Sequence, residues 1–403
     1  MTEGLPTAVS MVTRVPVVVG SGFSPAPAVG VAAADAAGEA LAGLRGAPCD
    51  VAMVFVSGDL VTETSEALQV VHRILEPGDV VGTTAGGILA GGQEHEQGDG
   101  VAVWAISLGD EGRAEVFELH ATEVEEGIAL SGLPAVEIGV TSAVVLLADV
   151  SRLPLEATLQ AFEEHLPGVP VVGGVPSLVP PDGRALLHGA GQSSAAAVGI
   201  RFEGVEVLPL VSQGARPIGP ELTVTAGEGA VIRELAGRPA IDVLRDTVDS
   251  LGDEDREQIR HGLLLGLVVQ PGQPEYGTGD FIVRGLAGAD PETGAVVVGA
   301  PVTVGQVARL HVRDPQTATR DLEDALALRR AAAGSAEIAG ALAFTCNGRG
   351  REMFGHDHHD ADAIQRELGP LPLVGMISAG EIGPVGGRPF VHGFTATVAV
   401  FLT

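Results

Sequence analysis

Hydrophobic positions along the chain fall into short unbroken runs separated by helix-period stretches, and one order of runs returns three times. "VAMVFVS" (51–57) has strand length, and "ETSEALQVVHRIL" (63–75) repeats its apolar positions at i, i+3, i+4 and i+7. "DVVGTTAGGILAGG" (79–92) and the strand "GVAVWAISL" (100–108) follow. Strand runs this apolar, without alternation, predict a parallel pair buried on both faces and joined by a helix.

The order returns as "SAVVLLAD" (142–149), a helix in "LPLEATLQAFEEHL" (153–166), "VPVVGGVPS" (169–177) and "AAAVGIRF" (195–202). Ser57 to Gly82 and Ala148 to Gly173 both span 25 positions, which predicts a gapless match of the two copies. A third copy reads "GALAFTC" (340–346), "DADAIQRELG" (360–369), "LPLVGMISAGEIG" (371–383) and "GFTATVAVFL" (393–402), with a connection four residues longer. Each copy predicts strand, helix, a Val-Gly strand end, a Gly-rich loop and a strand.

Residues between the second and third copies differ. Two short strands, an "AGRP" turn and a helix are predicted over 216–246, with Pro239 pre-setting φ at the helix start. Further strands are predicted at 261–270, 279–288 and 294–314, with hairpin chemistry in "ADPETGA" (289–295), and a helix over 317–335. The expected fold is two-domain mixed α/β with duplicated strand-helix-strand units and Gly-rich strand-end loops. Its domains are 1–210, holding two copies, and 211–403, holding the third at 340–403.

Composition narrows the function. The chain has 403 residues and a net charge of −29, a field that repels nucleic-acid phosphates and anionic lipid headgroups. Aromatics are 3% of residues, too few for base-stacking platforms. No apolar run approaches the ~18 residues of a membrane span. "MTEGLPTAVSM" has an acid where a signal peptide carries basic residues, so a soluble cytoplasmic protein is expected. Cys49 and Cys346 are the two cysteines, too few and too distant for a disulfide framework. All 23 basic residues are arginine, whose planar fork suits carboxylates.

The motifs "VVGTTAGGI", "PVVGGVPS", "VSQGARPIG", "VIRELAGRPAIDVL", "GDFIVRGLAGADPETGAVVVG", "HVRD", "FTCNGRG" and "PLVGMISAGEIGP" occur in this order from about Gly20 to the C-terminus. Together they resemble the FIST proteins, which have an N-terminal and a C-terminal FIST domain. The resemblance implies an intracellular sensory module that binds a small ligand, an amino acid or small carboxylate, and signals through an output. No stretch of this chain resembles an output domain, so either the output is a separate protein partner or the chain acts otherwise. No cofactor, nucleic acid or membrane is expected as a partner.

Ligands of open α/β sheets gather beyond the carboxyl ends of the strands. That places Thr83, Thr84, Ser378 and Glu381 as candidates, with Cys346, Asn347 and Arg349 in the matching turn of the third copy. Glu381 is read as facing a ligand ammonium, with Arg349 or Arg284 clamping a carboxylate. The competing reading makes Glu381 a cap for backbone N–H groups and pairs both arginines structurally. Arg313 in "HVRD" is read as a structural ion pair, with the adjacent Asp314 not assured as its partner, since neighbours on a strand face opposite ways. His356, His358 and His359 in "GHDHHDAD" (355–362) have the chemistry of zinc ligands, but the run is read as a solvated loop in which Asp360 caps a helix. Two alternatives stay open: a cysteine enzyme using Cys346 as its nucleophile, and a ligand-free interaction scaffold.

Overall fold

The computed structural model describes residues 15–124, 127–135, 140–260, 262–277 and 279–403; the stretch "MTEGLPTAVSM" lies outside them. The protein is mixed α/β, 25% helix and 44% strand. Each copy forms a parallel strand pair: Val51–Ser57 with Asp79–Ala85, Thr141–Ala148 with Val171–Val175, and Ile338–Cys346 with Leu373–Ser378. The intervening helices are Thr64–Leu75, Leu155–His165 and His359–Leu368. The last strands, Gly100–Ser107, Ala197–Glu203 and Thr395–Leu402, lie antiparallel beside the first.

The three sheets are interlocked. After its second parallel strand, each copy sends a hairpin out of its own sheet and into a neighbour's. Gly87–Ala90 of the first copy pairs with Leu373–Ser378 of the third. Gly380–Val385 of the third pairs with Val171–Val175 of the second. Leu186–His188 of the second pairs with Asp79–Ala85 of the first. The exchange is cyclic, so no copy completes its sheet alone. The expected division at 210/211 falls inside the strand Val207–Gln213, which edges the third copy's sheet along Thr395–Leu402.

The repeated glycines have a steric cause. Gly82, Gly173 and Gly375 lie opposite Val54, Leu146 and Ala343. A Cβ on them would stand 2.0, 1.8 and 1.8 Å from those residues' carbonyl oxygens. The register also shows that the first two connections differ by one residue, so the match is not gapless.

Inner faces of the three sheets share one core. Trp104 and Phe401 have ring centroids 4.9 Å apart, and Phe55 meets Phe344 edge-on. Outer faces carry separate helical layers, which explains strands buried on both sides. One of these helices, the alanine-rich Val29–Gly43, is absent from the sequence expectations, as is the long strand Arg113–Val124.

Residues 215–313 form a fourth sheet of seven strands, with the helix Ala240–Ser250 packed against it. It is an insertion that leaves and returns at one point, since Ala215 pairs with Arg313. Asp314 then caps the helix Pro315–Ala333 through the Thr317 N–H at 3.0 Å, with proline in the first turn. Arg216 bonds both Asp314 and Asp255 across this neck, at 2.9 and 2.7 Å.

Candidate functional site

The strand ends of all three copies converge. The Gly86 N–H donates to Ser177 Oγ at 2.8 Å, Ser177 Oγ donates to the Ile377 carbonyl, and the Ala379 N–H reaches the Val175 carbonyl at 3.0 Å. Beside this junction, between it and the inserted sheet, lies a cavity of about 820 Å³, within the size range of small-molecule sites. The first copy supplies Gly86, Glu96 and Gln97, the second Ser177, and the third Asn347, Gly348, Arg349, Glu352 and Ile377. The insertion supplies Gln258, Arg260 and Arg313.

Three arginines therefore face one cavity in an otherwise strongly acidic protein. Arg313 is the last residue of its strand, at the insertion's neck. Its guanidinium lies 3.6 Å over the Phe394 ring. Its Nε has no hydrogen-bond partner, and no carboxylate of the described residues lies within 4 Å of it. Asp314 is held by Arg216, so the sequence expectation of a structural ion pair for Arg313 is not met.

Arg349 is committed. Its Nε and Nη2 each donate to Asp360 at 2.7 Å, while buried Nη1 has no partner. Burial pushes the Asp360 carboxyl up, but Arg349 outweighs this and holds it well below the usual carboxylate range. Asp360 is thus not the helix cap; that end is served by Glu94 of the first copy's hairpin, whose Oε1 accepts the Asp360 and Ala361 N–H groups at 2.8 and 2.9 Å. Only the first part of "GHDHHDAD" is a solvated loop: Gly355, His356 and Asp357 are exposed, whereas His359 and Asp360 are buried in the first turn of the helix His359–Leu368. The histidines of this run are otherwise engaged, and among the described residues they form no group that could hold a metal: His359 stacks on Phe354 and bonds Asp360, with the His356 ring 5.5 Å away, His358 accepts the Glu94 N–H, and His356 Nδ1 lies 3.1 Å from the Asp357 carbonyl.

Glu381 sits in the strand Gly380–Val385, opposite Gly174 and His392, rather than in a loop. It is fully buried and lies outside the cavity lining. One oxygen accepts from Thr395 Oγ1 at 2.7 Å and Thr395 N at 3.2 Å, and the other has no partner. Burial pushes its pKa up to about 8, which favours the neutral form and weighs against its facing a ligand ammonium. Burial and Glu381 push the Cys346 thiol up to about 12, the opposite of an activated nucleophile. Its sulfur accepts the Gly348 N–H at 3.4 Å.

Other expected residues are placed as follows. Ser378 is buried with an unpartnered hydroxyl, opposite Cys346. Thr83 Oγ1 donates to the Ala185 carbonyl at 3.1 Å and Thr84 Oγ1 to the Leu178 carbonyl at 2.6 Å, so both hydroxyls join the first copy to the second instead of facing the cavity. Arg284 lies in a different, smaller cavity. Asn347 and Arg349 alone of the expected residues line the large one. The residues missed are Arg313, Arg260, Glu96, Glu352 and Ser177; the arginine in "HVRD", interrupting an apolar strand just before a helix cap, was the available signal.

Family models match the FIST N domain over residues 50–238 and the FIST C domain over 240–384. The uncharacterized protein Rv0628c of Mycobacterium tuberculosis is 40% identical over 390 residues, spanning 95% of this chain and 99% of the relative. The uncharacterized protein Mb0898c of Mycobacterium bovis is 38% identical over 390 residues, spanning 95% and 98%. FIST domains are associated with sensory signal transduction. Among the described residues, no helix is long and apolar enough to cross a membrane. With both domain models matched in sequence along one interlocked fold, the chain belongs to the FIST family.

Proposed function

We propose that the protein is a cytoplasmic sensor that binds a small carboxylate or amino acid in the cavity between the inserted sheet and the three-copy core. The observation that carries this reading is Arg313: a half-buried guanidinium fixed on an aromatic ring, facing a cavity, with Glu352 acting on it only from beyond 4 Å. A ligand carboxylate completes it with paired hydrogen bonds. Arg260 and the unpartnered Nη1 of Arg349 add positive field, while Asp360 keeps Arg349 from turning. Glu96 and Glu352 line the same cavity and are the groups to meet an ammonium.

Signalling follows from position. The cavity is built from the inserted sheet and from every copy of the core, so a ligand that bridges them favours one placement of the insertion. A separate protein reads that placement. The thiol's raised pKa weighs against the cysteine-enzyme reading. A thermal-shift screen of amino acids and small mono- and dicarboxylates tests the proposal, because a ligand at 100 times its Kd adds about 2.7 kcal/mol of stability. A flat response across the panel counts against it and favours the scaffold reading.

A further inference from the structure

Phe394, whose ring carries Arg313, also lines a second cavity of about 270 Å³ between the inserted sheet and the second and third copies. Arg284 lies in its wall. The side chain is 9% exposed, with Nε donating to the Gly299 carbonyl and Nη1 to its neighbour Val283's carbonyl, each at 3.1 Å. The remaining nitrogen, Nη2, stands 3.7 Å from Glu156 Oε1, beyond hydrogen-bond distance. The guanidinium's hydrogen bonds go to neutral carbonyls, and its one nearby counter-charge, Glu156, is held without a hydrogen bond, looser than burial of a cation normally demands. Burial lowers it to about 10, so it remains a cation at neutral pH. His392 in the same wall is pulled down to about 4 by burial and by Arg284, so it supplies no second positive charge.

Glu156 belongs to a different element, the helix Leu155–His165, and its side chain is 46% exposed. It stands at the cavity as a loosely held carboxylate, free to turn to solvent. Gly380 and Gly299 leave the walls without side chains. We propose that this cavity is a second binding site, for a small monocarboxylate, which docks on Arg284 and displaces Glu156. A single guanidinium and this volume fit an acid of a few carbons, not the larger guest of the first cavity. The site rests on Arg284 and its cavity, independent of the reading given to Arg313.

The test is a thermal-shift titration with sodium acetate and sodium propionate against sodium chloride at matched ionic strength. Acetate is expected to raise the melting temperature beyond chloride. In Glu156→Gln, which removes the competing carboxylate, half-saturation is expected at a concentration about fivefold lower or less. Arg284→Met is expected to abolish the acetate response and Arg313→Gln to keep it. Equal half-saturation in wild type and Glu156→Gln, or acetate no better than chloride in that variant, overturns the proposal, whether or not Arg284→Met folds. A response lost in Arg313→Gln and kept in Arg284→Met assigns the acid to the first cavity and also overturns it.

Discussion

Arg313 and Phe394 form a stacked pair, with the guanidinium carbon 3.6 Å from the ring centroid, and Phe394 holds that ring from a left-handed backbone at φ 63°. An aromatic residue in that region costs of order 1–3 kcal/mol. The surroundings enforce it: the Phe394 carbonyl accepts the Gly214 N–H at 2.9 Å, and its neighbour Thr395 is tied to Glu381. Gly348 makes room below, since a Cβ there would meet the ring at 2.7 Å. The stack orients Arg313 without neutralising it, which is how a binding arginine differs from a structural one.

Arg349 is fixed by a buried carboxylate, so Asp360→Asn leaves a buried guanidinium without the one counter-charge it hydrogen-bonds. The expected loss is about 3–5 kcal/mol, read by urea denaturation. The native carboxyl titrates below its unfolded value, so its stabilisation is present above pH ~4 and lost as acid is added below that. A loss under about 1 kcal/mol in Asp360→Asn contradicts a buried, ordered pair.

Glu381 works in the opposite direction. Its unfolded pKa is ~4.3 and its native value is about 8, so the native state holds the proton more tightly. The stabilisation from that proton is complete below pH ~4.3 and declines until pH about 8. Glu381→Gln mimics the neutral form and is expected to be more stable than wild type at pH 8, with a shallower decline between pH 5 and 8. The decline persists in part, because Glu94, raised to about 7 by burial and Asp360, contributes in the same direction. His188, raised to about 9 by its bond to Asp79, adds a loss as pH climbs from ~6.5 through 9. Equal slopes in wild type and Glu381→Gln rule out the buried-acid assignment.

Gly173→Ala puts a Cβ 1.8 Å from the Leu146 carbonyl oxygen, in a parallel pair that also anchors the third copy's hairpin. Expression of soluble protein is expected to collapse, with a destabilisation above about 4 kcal/mol if any folds. Gly168→Ala is a control for left-handed backbone alone, at φ 80° with nothing within 4 Å, and is expected to cost about 1–2 kcal/mol.

The repeating strand-helix-strand units were legible because each is local: strand runs, helix periods and the three glycines all lie within one short window. Exchange of the hairpins was not, since Ile88 pairing with Met376 leaves no local trace. The helix Val29–Gly43 was hidden by its alanines, which bury a face without an apolar–polar contrast. At the site, Asn347 and Arg349 followed from the strand-end rule, whereas Glu381 misled because a lone charge between glycines reads the same whether it faces a cavity or a neighbouring strand. Arg313 reads as a structural ion pair in the sequence because its freedom depends on Arg216, from the other end of the insertion, capturing Asp314.

Cys346 should be a slow thiol. With its pKa pushed up to about 12, alkylation by iodoacetamide at pH 7.5 is expected to run at least about tenfold slower in the folded protein than in urea. Rapid, selective labelling of the native protein revives the nucleophile reading.

The most direct measurement is calorimetric titration of wild type and Arg313→Gln with the strongest acid or amino acid from the thermal-shift panel. Loss of a charge-assisted carboxylate contact predicts binding weakened tenfold or more, about 1.5–3 kcal/mol, with the melting temperature of the unliganded variant little changed. An affinity that is the same in both proteins contradicts the assignment of this cavity as the sensory site.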